Sequence, residues 1–230
     1  MKKGLLIPLA MGVTALASYS LLPTAYYRIK AKALPKKPAK KQLYLTFDDG
    51  PSCYTPELLE LLKALQIKAT FFTVADFASK YPLTIKQMAD DGHLIANHSF
   101  NHKNAALQTP KETAEDFLHS ETIMEERGIP IRYFRPPWGT FNMATVYQLK
   151  KHGYTPVLWQ VMAEDWRENT TAEEIAFKLL SRTKNGDIIC LHDGRGKQAA
   201  PLRTINALKL VLPIWKEQGY EFLTVDHSYA

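Results

Sequence analysis

From Gln42 onward the chain alternates two kinds of segment, and that alternation limits the fold more than any other feature. Apolar runs with β-type composition occur at Leu43–Phe47, Ala69–Val74, His93–Asn97, Tyr133–Arg135, Pro156–Val161, Asp187–Leu191 and Glu221–Val225. Segments with helical periodicity lie between them at Pro56–Leu65, Thr84–Asp91, Pro110–Arg127, Met143–His152, Ala172–Arg182 and Leu202–Gln218. In the first of these, Thr55 reads as N-cap and Pro56 as the first helical residue, with an apolar side of leucines from Leu58 to Leu65. Strands that alternate with helices form parallel βαβ units. The expected fold is α/β, a distorted (β/α) barrel of about seven parallel strands. An open doubly wound sheet is the second choice, and no GxGxxG or P-loop pattern supports it.

The segment before Gln42 follows different rules. Residues 1–41 hold nine of the 29 Lys and Arg and none of the 23 Asp and Glu. The net charge of +6 therefore sits in this segment, and the remainder carries 20 basic against 23 acidic residues. Basicity so placed gives no reason to expect nucleic-acid binding. Lys2-Lys3 precede an uncharged stretch from Gly4 to Tyr27. It reads as a signal peptide, with Ala15-Leu16-Ala17 as a cleavage site, or as an uncleaved membrane anchor over residues 1–27. Residues 28–41 read as an extended basic linker and 42–230 as the catalytic domain. Export is the expected outcome, with the domain extracellular or at the cell surface. Two cysteines, Cys53 and Cys190, make no disulfide framework.

The polar residues at the strand ends carry the chemistry. Asp48-Asp49 follow the first strand and His98 the third, with His102 four residues later. Arg135 ends the fourth strand, Asp165-Trp166 follow the fifth, and His192-Asp193 follow the sixth. In a (β/α) barrel the C-terminal ends of the strands are where active sites are built. His98, His102 and Asp49 form a two-histidine, one-carboxylate ligand set with an open position, which suits a divalent ion, zinc foremost. Such a cation lets Asp49 stay ionised beside Asp48, which is then free to act as a base. Arg135 is suited to hold Asp48 by a charge-assisted pair. His192 is a candidate general acid, with Asp165 to orient it. Trp138 and Trp166 are candidate walls for a sugar ring.

These residues resemble the motifs of the polysaccharide deacetylases, carbohydrate esterases sharing the NodB-homology domain. Thr46-Phe47-Asp48-Asp49-Gly50-Pro51 is similar to the first motif and His98-Ser99-Phe100-Asn101-His102 to the second. Arg135-Pro136-Pro137-Trp138-Gly139 is similar to the third, Asp165-Trp166 to the fourth and Ile189-Cys190-Leu191-His192 to the fifth. The resemblance spans Leu43 to about Val225. It implies metal-dependent removal of N-acetyl groups from a peptidoglycan or chitin-like polymer, with release of acetate. It implies Asp48 as base, His192 as acid, and Asp49, His98 and His102 as metal ligands. Trp138, through its amide, Trp166 and Leu191 fall on the substrate and oxyanion side. A monomer is expected, touching a membrane only if the N-terminal segment is uncleaved. Two other readings are an inactive cell-wall-binding module and an amidohydrolase for a small carbon–nitrogen substrate.

Overall fold

The computed structural model describes residues 17–33 and 38–228. Its centre is one parallel sheet built on strand β1 (Gln42–Asp48), buried along nearly its whole length. β1 pairs with β2 (Thr70–Thr73) on one side and β7 (Ile188–His192) on the other. Beyond β2 lie β3 (Leu94–Asn97), β4 (Tyr133–Phe134) and β5 (Thr155–Pro156), and beyond β7 lies β6 (Val161–Met162). A short β8 (Glu221–Phe222) pairs with the start of β1.

The barrel is closed by a bent segment rather than by a ladder. The expected fifth strand, Pro156–Val161, is divided: β5 lies on one edge of the sheet and β6 on the other. Residues 157–160 cross between them, with Val157 N–H donating to Phe134 O (2.9 Å) and Gln160 N–H to Ile188 O (3.0 Å). One apolar run thus satisfies both edges, and the bend distorts the barrel.

Alternation along β1 separates two cores. Leu43, Leu45 and Phe47 pack outward against the helices, whereas Tyr44 packs with Phe72, Val157 and Ile188 on the other face. The outer layer includes α2 (Thr55–Ala64), α3 (Ala75–Lys80), α4 (Pro82–Asp90), α5 (Pro110–Glu125), α6 (Met143–His152), α7 (Ala172–Arg182) and α8 (Ala200–Glu217). The six-residue α3 is too short to show a period and was not expected. Thr55 does not cap α2. Its hydroxyl accepts from Ser52 N–H (2.8 Å) and donates to Asp193 Oδ2 (2.7 Å), so it serves the loop above.

The N-terminal segment departs most from expectation. Residues 28–33 are not extended linker but the end of helix α1 (Leu22–Ala33), which follows a π-helical turn at Ala17–Leu21. Tyr27 and Ala31 pack into a third core cluster with Phe117, Phe134 and Phe141. Part of the uncharged stretch is therefore folded onto the domain. Residues 1–16, where the rest of the expected leader or anchor falls, lie outside the described residues. Among the described residues no helix is long and apolar enough to cross a membrane.

Candidate active site

Register creates the centre of the site. Asp48, the last residue of β1, pairs with His192, the last of β7, and Thr46 pairs with Cys190 two positions below. Side chains two apart share a face, so these four residues point the same way. Arg135, entering from the end of β4, fills the space beneath them. Its Nη1 donates to Asp48 Oδ1 (2.6 Å) and Thr46 Oγ1 (2.8 Å), and its Nε to Val157 O (3.1 Å). The guanidinium lies 3.9 Å from the centre of the Phe72 ring and has no exposed surface. Removing one partner of a buried ion pair of this kind typically costs about 3–5 kcal/mol, because the survivor is left as an uncompensated charge.

The Asp49, His98 and His102 side chains converge beside Asp48. Asp49 Oδ1 lies 3.2 Å from His98 Nε2 and 2.8 Å from His102 Nε2. His98 Nδ1 lies 2.6 Å from Arg135 O. A carbonyl oxygen only accepts, so Nδ1 carries the hydrogen and a neutral His98 presents a lone pair at Nε2. His102 is kept neutral by burial, which depresses its pKa against the opposing pull of Asp49. The His98 lone pair then faces a carboxylate whose Oδ1 is buried without a hydrogen-bond partner, and His102 Nε2 points at the same oxygen. Acceptors facing acceptors fit a divalent cation, and the backbone carbonyl on the far side of His98 is the usual partner of a metal-ligating histidine.

The other flank is satisfied internally. His192 Nδ1–H donates to Asp165 Oδ1 (2.9 Å), and His192 backbone N–H to Asp165 Oδ2 (2.8 Å). Thr204 on α8 donates to the same Oδ2 (2.9 Å). Burial works against a charged His192, but Asp165, followed by Asp49 and Asp48, raises its pKa to about 9. Asp193 ties the loops together. It accepts from Thr55, and its backbone N–H donates to Asp48 O (3.1 Å). Burial pushes its carboxyl up to about 7. Gly50 and Gly194 are required here, since a Cβ on either would run into Asp193 or the Asp49 carbonyl.

These groups open into one cleft of about 700 Å³. Trp138 and Trp166 both line it. The Trp138 ring lies 4.5 Å from His102 and the Trp166 ring 5.2 Å from His192. Leu191 does not reach the cleft. Alternation turns its side chain into the outer core, fully buried, and gives the lining position on β7 to Cys190. Cys190 Sγ lies 3.4 Å from Asp48 Oδ2, and burial pushes its thiol well above the usual range; Cys53 is exposed and both are free. Sequence reasoning also missed the wall formed by Arg28, Ala31 and Lys32 of α1. Its signal was the spacing of Ser20, Thr24, Tyr27 and Ala31, one side of a helix written in small and polar residues.

A distorted (β/α) barrel that gathers carboxylates and imidazoles around one strand-end cleft is suited to metal-assisted hydrolysis. The family model described as polysaccharide deacetylase matches residues 35–157, more than half of the chain. A peptidoglycan-N-acetylglucosamine deacetylase of Bacillus cereus is 36% identical over 190 residues, covering 81% of this chain and 87% of that protein. A chitooligosaccharide deacetylase of Azorhizobium caulinodans is 33% identical over 193 residues, covering 79% and 91%. A crystal structure of a peptidoglycan N-acetylglucosamine deacetylase superposes with a TM-score of 0.77 at 30% identity, covering 83% of this chain and 88% of that one. The chain belongs to the polysaccharide deacetylase family.

Proposed function

We propose that the protein removes N-acetyl groups from a GlcNAc-containing cell-wall polymer, peptidoglycan foremost, leaving free amines and acetate. The names of its relatives support the substrate class. One observation carries the reaction: Asp48 and His192 are register partners on neighbouring strands, with the Asp49, His98 and His102 side chains directly beside them.

Asp49, His98 and His102 would hold a divalent cation, and zinc suits two imidazoles and one carboxylate. When bound, it supplies Lewis-acid polarisation of the acetamide carbonyl and lowers the pKa of water there. Asp48, fixed by Arg135, takes the proton of the attacking water. The Trp138 backbone N–H donates to the carbonyl oxygen as negative charge develops on it. His192 delivers its proton to the departing amine while Asp165 holds the imidazolium. Trp138 and Trp166 flank the sugar. The protein acts outside the cytoplasm as a monomer, and the apolar residues before α1 direct its export, remaining as a membrane anchor if uncleaved.

Acetate release from peptidoglycan, chitooligosaccharides and acetylxylan tests this reading, measured with added zinc and again after chelation. Release from a GlcNAc polymer that chelation abolishes is the expected result. No acetate from any of the three in metal-replete protein would overturn it and favour a binding module.

A further inference from the structure

Helix α1 lies where leader and linker were expected, yet its contacts are with the site. Arg28 Nη2 donates to Trp138 O (2.9 Å) and Arg28 Nε to Gly139 O (3.4 Å). One turn earlier, Thr24 Oγ1 donates to Phe141 O (3.0 Å) and accepts from Phe141 N–H (2.9 Å). Ser20, fully buried, donates to the same carbonyl (2.8 Å). The Tyr27 ring stacks on Phe141 at 4.3 Å. On the other side of the cleft, Gln160 Nε2 donates to Ala31 O (2.7 Å). One helix therefore grips residues 138–141 and reaches the segment that closes the barrel.

The gripped turn is the part of the site most in need of support. Trp138 and Gly139 have φ of 55° and 61°, two successive residues in the left-handed region. Trp138 is not glycine and pays a steric penalty there. The same two residues present their carbonyls to Arg28. A guanidinium fork spanning two adjacent carbonyls is a rigid clamp.

We propose that α1 is a working wall of the active site and that Arg28 is a positioning residue, holding the Trp138–Gly139 turn for the deacetylation reaction. The inference rests on the deacetylase reading above. Arg28 acts through the Trp138 amide and ring, not by proton transfer. Displacing that turn degrades the alignment of donor and substrate more than it weakens substrate binding. A misplacement of this kind costs on the order of 10²-fold in rate.

The test uses the full chain. Arg28→Ala should lower kcat by about tenfold to a hundredfold, with KM nearly unchanged, because alignment matters most in the transition state. Zinc content and Tm should stay at wild-type values. Arg28→Lys, which keeps a cation but not the fork, should recover part of the loss. Thr24→Val, at a residue outside the cleft, should lower kcat in the same direction by loosening Phe141. Wild-type kcat in both Arg28→Ala and Thr24→Val would overturn the proposal. So would a loss that follows Tm alone, with unchanged kcat per folded molecule. An inactive wild-type protein would instead overturn the deacetylase reading.

Discussion

The two ends of the same sheet fill left-handed backbone differently, with Gln66 (φ 55°) below and Gly139 (φ 61°) above among the exceptions. Below the strands, at Gly128 and Gly153, the chain uses glycine, and a Cβ there would touch nothing within 4 Å. Above them, Asp49, Ser99, His102 and Trp138 take positive φ between 55° and 72°. Glycine would be easier at every one of those upper positions. A side chain is kept because each contributes to the site: a carboxylate, a hydroxyl holding His102 N–H (2.9 Å), an imidazole and an indole. Backbone strain of about 1–3 kcal/mol per such residue collects at the rim. The lower turns only need to reverse the chain.

Substitutions at the two ends should therefore fail differently. His98→Ala gives the largest expected effect: loss of both the divalent ion and turnover, with the fold kept. Full metal occupancy by elemental analysis would remove His98 from the ligand set. Asp48→Asn comes next, keeping the metal but lowering kcat by about 10²–10⁴-fold, the usual weight of a general base. Parallel loss of metal and turnover would make Asp48 a ligand.

Asp165→Asn should act mainly on the pH profile. His192 titrates near pH 9 in the folded protein, above its unfolded value of about 6.5. The stabilisation from this pair is fully present below pH ~6.5 and is lost as pH rises through about 9. The alkaline limb of activity follows the same imidazolium, so the variant should move that limb to lower pH. An unmoved limb would separate His192 from the acid role. At the lower end, Gly153→Ala should cost only about 1–2 kcal/mol in urea unfolding, the penalty of left-handed backbone with a Cβ. A clear loss of kcat in that variant would break the contrast between the two ends.

What the sequence revealed follows the same division. Strand–helix alternation and the polar residues at strand ends were legible because period and position are local properties. The cleft partners Asp48 and His192 were legible as rim residues, but their register was not, since strand pairing is set across 144 residues of chain. Leu191 was misread because motif membership does not say which face a strand residue takes. The split of Pro156–Val161 depends on which edges it must close, which only the assembled sheet defines. Helix α1 was hidden because Thr24 and Ala31 on its docking side, and Ser20 in the turn before it, carry little hydrophobic signal.

Cys190 and Cys53 give the molecule two chemical clocks running at different speeds. An exposed thiol such as Cys53 reacts with a disulfide reagent at its intrinsic rate, set by its thiolate fraction and not by any opening of the fold. Cys190, on β7 at the floor of the cleft and without exposed surface, reacts only in the brief intervals when the site opens locally. In the limit of fast reclosing, the ratio of the two labelling rates measures the free energy of opening at the centre of the site, about 1.4 kcal/mol for each factor of ten. Any ion or glycan that binds the closed cleft must slow the second clock while leaving the first untouched. Occupancy can therefore be read by mass without a single turnover.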